Sequence, residues 1–148
     1  MSPSATLVSH PRARYDFEIL ETLTAGVSLL GTEVASLKKN QGKLVGSYVK
    51  LIKGVPMLLG AHIPPFQVAN APKDYSPTRD RALLLNKKEI AKLERELHEK
   101  NLTLIPLRFF RGGPHIKLEI ALAKGKKKFD KRETIKKRDI SRDIARKI

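Results

Sequence analysis

The chain reads as a mainly β domain with short helices, closed or partly closed into a small antiparallel barrel and followed by a basic tail. Strand-like segments dominate the first 123 residues, and the two or three helical segments among them are too few to cover a doubly wound parallel sheet. Closing the sheet on itself removes the exposed edges that a small antiparallel sheet would otherwise present. Charge supplies the second division. The 148 residues hold 30 Lys+Arg against 15 Asp+Glu, a formal charge of +15, and residues 124–148 alone carry 12 basic and 4 acidic side chains. Such a tail has too few large apolar residues to offset its own ordering entropy. The expected organisation is therefore a flexible lead at 1–11, a folded body at 12–123 and a basic tail at 124–148.

The elements follow from local pattern. From Tyr15 to Leu23 apolar and polar residues alternate, with Tyr15, Phe17, Ile19 and Leu23 on one face of a strand. Thr24-Ala25-Gly26 reads as a turn, and Val27 to Leu30 as the next strand. Thr32 is placed to cap a short helix whose Val34 and Leu37 share a side, closed by Asn40-Gln41-Gly42. Leu44 to Ile52 and Val55 to Ile63 are β-rich runs around Lys53-Gly54, a tight-hairpin signal. Phe66 to Asp80 has the composition of a surface loop and is expected to be the least ordered part of the body. Asn86 and Glu89 make a capping-box pattern ahead of Ile90, Leu93 and Leu97, the stripe of an amphipathic helix that Asn101 ends. Two more strands, Leu102 to Phe110 and His115 to Ala123, flank Arg111-Gly112-Gly113-Pro114, and Ile116, Leu118, Ile120 and Leu122 point one way in the second.

Several chemistries are disfavoured. There is no Cys, hence no disulfide framework, thiolate nucleophile or Cys-based zinc site, which is compatible with a cytoplasmic location. No apolar run approaches the roughly 18 residues of a membrane span, and Met1 to His10 lacks a signal-peptide pattern. His10, His62, His98 and His115 show no short ligand spacing, no phosphate-cradling glycine motif is present, and the acidic residues form no evident dyad. Neither an enzyme nor a cofactor is expected.

The positive signal is polyanion binding, carried by three basic patches: Arg12-Ala13-Arg14 beside Tyr15, Lys38-Lys39 with Lys43, and Lys124 to Lys128 running into Phe129. Lysine and arginine contact phosphates, and an aromatic ring among them can stack on an unpaired base. Each patch alone is equally well a solvated face; the charge excess favours nucleic acid. In the tail, Ile135, Ile140, Ile144 and Ile148 recur at near-helical steps, the pattern of a segment disordered when free and helical on a partner.

RARYDFEILET, LTAG, GTEVASLKKNQ, SYVKL, AHIPPF, SPTRDRALLLNKKEI, LTLIPLRFF and LAKGKKKFDKRETIKKRD together resemble the small protein B family, the SsrA-binding proteins of bacterial trans-translation. The resemblance is colinear from about Arg12 to Asp139. It implies a barrel related to the oligonucleotide-binding fold, and a non-catalytic adaptor that carries transfer-messenger RNA into the A site of stalled ribosomes in place of an anticodon arm. Its partners would be that RNA, the small ribosomal subunit and its RNA, and elongation factor Tu indirectly through the aminoacylated RNA, with the protein a monomer. By position, transfer-messenger RNA would meet Arg12, Arg14, Thr24, Gly26, Tyr48, Lys124, Lys126, Lys127 and Lys128. The decoding-centre tail would use Phe129 to stack, and Asp130, Lys131, Arg132, Lys136, Lys137 and Arg138 to orient on ribosomal RNA. Asn86 also falls in a family-like segment, although it serves equally as a helix cap, and Tyr48 equally as a packed side chain. Thr24 stands where the family commonly has Glu, so a contact there loses charge assistance. The rival reading is a generic ribosomal or RNA-chaperone barrel protein.

Overall fold

The computed structural model describes residues 4–67 and 73–125. Its strands are β1 (Ser4–Ser9), β2 (Phe17–Val27), β3 (Tyr48–Ile52), β4 (Val55–Leu59), β5 (Arg81–Leu84), β6 (Thr103–Gly112) and β7 (His115–Gly125), with helices α1 (Ala13–Asp16), α2 (Gly31–Lys38) and α3 (Lys87–Lys100). All pairings are antiparallel. The order β6-β3-β4-β5-β2-β7 returns to β6 through the β6–β7 pairing, so six strands form a ring, and β1 adds to the β6 edge beyond β3. The expected mainly antiparallel architecture with few short helices is present.

The ring encloses one apolar core built from alternate residues of its strands, including Ala25, Val49, Leu58, Leu83, Leu104, Phe109, Leu118, Ile120 and Leu122. Leu37 of α2 and Leu93 of α3 join the same core. A second cluster lies on the other face of β6 and β7, where Ile105, Leu107, Ala121 and Ala123 pack with Ala13, Phe17 and Ile19. A register shift between Ile19 and Glu21 explains how one strand serves both. The extra residue switches the side-chain alternation, so Phe17 and Ile19 join the second cluster while Leu23 packs on the main core. The single apolar face expected from Tyr15 to Leu23 is thus split, and Tyr15 sits in α1 rather than in the strand.

Other boundaries also differ from expectation. The lead at 1–11 contains β1, which pairs with Arg108 to Gly112. Thr24-Ala25-Gly26 is strand, not turn, because β7 and then β5 pair with it on its two edges and supply the hydrogen bonds that a turn would otherwise make locally. Sheet pairing also carries β7 to Gly125, past the expected tail boundary. The hairpin at Lys53-Gly54 is as expected, both residues having positive φ (51° and 79°), as a two-residue turn of this hand requires. In α3, Glu89 N donates to Asn86 Oδ1 at 2.8 Å and Asn86 N to Glu89 Oε1 at 3.1 Å, and Asn101 ends the helix in the left-handed region at φ 51°.

The Phe66 to Asp80 loop is not loosely held from Tyr75 onward. It is anchored on Glu33, a fully buried carboxylate in the first turn of α2. Glu33 Oε1 accepts from Leu30 N at 2.8 Å, so this side chain, rather than Thr32, caps the helix start. Thr32 Oγ1 instead accepts from Phe66 N at 2.8 Å. Arg79 reaches both Glu33 oxygens, and the wholly buried Arg81 donates to Oε2 from Nε (2.8 Å) and Nη2 (2.5 Å). Arg81 spends further donors on Ala61 O (2.7 Å) and Pro77 O (3.0 Å), while the Tyr75 hydroxyl sits 2.6 Å from Ile63 O and 3.1 Å from Glu33 Oε2. The network therefore ties α2, β5 and the loop to the segment after β4.

Burial pushes the Glu33 carboxyl pKa up, but the hydrogen bonds from Arg79, the Leu30 amide and Arg81 outweigh it and hold the group below its ordinary value. A carboxyl depressed on folding adds stability that is fully present above the unfolded Glu value of about 4.3 and is lost as pH falls through the folded value. The stability difference between the native chain and Glu33→Gln should therefore shrink as pH drops below about 4.3 in urea melts. A difference constant through that acid range would contradict this linkage. Arg81→Ala, which strands the buried carboxylate, should cost about 3–5 kcal/mol at neutral pH.

Candidate nucleic-acid interface

Three regions of the ring hold the described candidate residues. At one end, burial of Ala13 beneath α1 turns Arg12 and Arg14 outward. The Arg12 guanidinium lies 4.9 Å from the Tyr15 ring centroid and its Nε 3.6 Å from Asp16 Oδ2, yet its side chain is 59% exposed. So open an ion pair is weak and easily exchanged for a phosphate. Lys124 stands opposite Glu18 and Gly125 opposite Phe17, only three residues after Arg14. Arg12, Arg14 and Lys124 therefore share the end of the sheet at which β7 leaves it.

Thr24 and Gly26 occupy the far end of β2, about 20 Å or more along the strand from Phe17. Thr24 is exposed and opposite Glu119, and Gly26 pairs with Lys117 on one edge and Leu84 on the other. A Cβ at Gly26 would meet Leu84 Cβ at 3.1 Å. Gly26, Leu84, His115 and Lys117 line a cleft of about 400 Å³, and Leu84 is 66% exposed, unusual for a side chain with core neighbours on both sides in sequence. His115, Lys117 and Leu84 escape a reading of the sequence because only the pairing of β5, β2 and β7 assembles them. Tyr48 opens β3, paired with Leu59 and half exposed rather than packed. It stands three strands from β2 in either direction around the ring, so it shares no surface with Thr24 or Gly26.

A further cation missed by motif reading is Arg108 on β6, which stacks on Phe110 at 4.5 Å, donates to Thr6 Oγ1 at 2.7 Å and pairs with Glu119. Lys38, Lys39 and Lys43 are all exposed, as expected of a basic patch at the end of α2. Lys126, Lys127, Lys128, Phe129, Asp130, Lys131, Arg132, Lys136, Lys137 and Arg138 lie outside the described residues. Among the described residues no His, Cys, Asp or Glu cluster could hold a metal ion, and no helix is long and apolar enough to cross a membrane. What this surface offers chemically is separated cationic and apolar patches on a rigid ring, suited to backbone phosphates and unpaired bases.

The SmpB protein family model matches residues 7–148, which takes in both the ring and the tail. The chain belongs to the SmpB family. The SsrA-binding protein of Gloeobacter violaceus is 45% identical over 140 residues, 95% of this chain and 91% of that protein. Those of Mesoplasma florum (43%, covering 92% and 91%) and Lactococcus lactis (42%, covering 96% and 91%) are similar over the same extent. A solved chain described as "tmRNA-SmpB: a journey to the center of the bacterial ribosome" superposes with TM-score 0.65 at 37% identity, covering 86% of this chain and 87% of that one. SmpB is an RNA-binding rather than an enzyme family, consistent with the scattered acids and with the use of Glu33 as a buried structural anchor.

If the end patch binds phosphates, Arg14→Ala and Lys124→Ala should each flatten the dependence of log K on log salt for structured RNA, by about 0.7–0.9 for each phosphate no longer neutralised. Thr24→Ala, which removes no charge, should leave that slope unchanged. Filter binding across a salt series measures both, and unchanged slopes for the two cationic positions would show that neither neutralises a phosphate.

Proposed function

We propose that this SmpB protein binds the tRNA-like domain of transfer-messenger RNA and delivers it to the A site of stalled ribosomes, in place of the missing anticodon arm. The observation that carries the reading is the family match across ring and tail, 7–148, supported by relatives named SsrA-binding protein and by the tmRNA-SmpB neighbour. In this account the body and the tail serve different RNAs. The body meets transfer-messenger RNA through Arg12, Arg14 and Lys124, with Lys126, Lys127 and Lys128 extending the same cationic track, and through the Thr24 and Gly26 region at the far end. Tyr48, exposed on the opposite wall, offers a ring for an unpaired base.

The tail acts in the decoding centre and mRNA channel. Phe129 supplies a π-face for a base, Asp130, Lys131 and Arg132 set its direction, and Lys136, Lys137 and Arg138 follow ribosomal RNA phosphates. The isoleucines at 135, 140, 144 and 148 give a stripe that a helix formed on the ribosome would present to one side. The adaptor works as a monomer in the cytoplasm, and elongation factor Tu joins through the aminoacylated RNA rather than through a protein site. A generic ribosomal or chaperone role would require little preference for the tRNA-like domain.

Removing residues 126–148 separates the two jobs. The truncated protein should keep its affinity for the tRNA-like domain within a few-fold while tagging of nascent chains on stalled ribosomes is abolished. Equal loss of both would overturn the division of labour. Phe129→Ala in the full chain should likewise impair tagging more than binding to the free RNA.

A further inference from the structure

One cavity lies beside the end patch and has an unexplained polar atom inside it. Where β1 ends, the chain passes through His10 and Pro11 into α1, over β6. His10 N donates to Leu107 O at 2.8 Å and His10 O accepts from Ala13 N at 3.3 Å, so the backbone is held from both sides. The imidazole Nδ1 is buried and has no hydrogen-bond partner; among the described residues it is the only buried side-chain nitrogen or oxygen in that condition. Burial lowers the His10 pKa, against the opposing influence of Asp16 and of its own carbonyl, which keeps the ring neutral at pH 7. A neutral imidazole offers one donor and one acceptor, and leaving a buried one unused costs free energy that a ligand atom at hydrogen-bond distance would recover.

The space beside it is a cavity of about 270 Å³. Pro11 and Leu107 give it an apolar wall, and Arg14, Arg108 and Glu119 line the rest together with His10. Arg108 is engaged with Thr6 and Glu119, whereas the exposed Arg14 side chain makes no ion pair among the described residues. A flat heteroaromatic ring with hydrogen-bonding edges matches an apolar wall interrupted by one imidazole nitrogen, and a phosphate attached to that ring matches a guanidinium at the mouth. A peptide side chain would match the wall but not both polar features at that separation.

We propose that the His10 cavity is a binding site for one unpaired nucleotide of RNA, with the base edge on His10 Nδ1 and its phosphate on Arg14. The inference rests on the RNA-adaptor reading above and adds a recognition element to the body. It makes the end patch a reader of an exposed base as well as a track for phosphates, because a hydrogen bond inside a closed cavity depends on which edge is offered.

The test uses the full chain with ¹⁵N-labelled histidine. Long-range ¹⁵N–¹H spectra would be recorded free and saturated with either of two probes, the tRNA-like domain of transfer-messenger RNA or an unrelated hairpin with a single-stranded loop. The His10 Nδ1 resonance should move in the tRNA-like complex, and His10→Phe, which fills the cavity without a nitrogen, should weaken that binding about tenfold. The salt slope of His10→Phe should equal that of the native chain, since every phosphate keeps its cation. An unmoved Nδ1 signal in the saturated complex overturns the proposal, as does binding by a folded His10→Phe within twofold of native. Should His10→Phe not fold, the spectra of the unaltered protein decide alone. If both RNAs bind equally and both move the Nδ1 signal, the adaptor reading fails while the nucleotide site stands.

Discussion

A carboxylate in the middle of a small domain is costly to bury, and the way this chain satisfies Glu33 organises much of the rest. Desolvation alone would drive such a group to protonate. Here five donors converge on it: the Leu30 amide, two from Arg79 and two from Arg81. Because those donors come from different parts of the chain, satisfying one charge fixes the entry of α2, the position of β5 and the path of the preceding loop. Arg81 then shares its remaining protons with the Ala61 and Pro77 carbonyls, so no part of the buried guanidinium is left to pull water inward.

That lock has a functional consequence at the far end of the ring. β5 is only four residues long, and its hold on β2 is through Gly26 and Val27. With Arg81 fixed at its start, Leu84 is brought against Gly26 and the cleft with His115 and Lys117 exists. At the other end, α1 and the second apolar cluster do the equivalent work, seating Ala13 so that Arg12 and Arg14 face out beside the departing β7. The ring thus keeps its cationic and apolar contact points rigid and apart, while the tail begins at one of them. Rigidity matters because RNA contacts made by preordered side chains do not have to repay their ordering on binding.

Legibility in the sequence followed the range of the forces involved. Asn86 with Glu89 and the Ile90, Leu93, Leu97 stripe announce α3 because capping and amphipathicity act within four residues. Lys53-Gly54 announces its hairpin for the same reason. Thr24-Ala25-Gly26 misleads because small polar residues serve a turn or a strand edge alike, and only β5 and β7 decide between them. β1 and β5 are missed because Ser4 to Ser9 and Arg81 to Leu84 are ordered by distant partners. Glu33, Tyr75, Arg79 and Arg81 stand in segments that carry the family resemblance, yet nothing local says that they meet. The unpaired Nδ1 of His10 is visible only when β6 closes over it.

The central claim is that this charge pattern recognises a tRNA-like RNA rather than polyanions at large. Binding of transfer-messenger RNA, tRNA and an unrelated hairpin, each titrated over the same salt series, tests it most directly. The account predicts that transfer-messenger RNA keeps an advantage that persists at high salt, where the shared phosphate attraction has been screened away. Three RNAs whose affinities converge as salt rises would contradict it and leave only non-specific attraction.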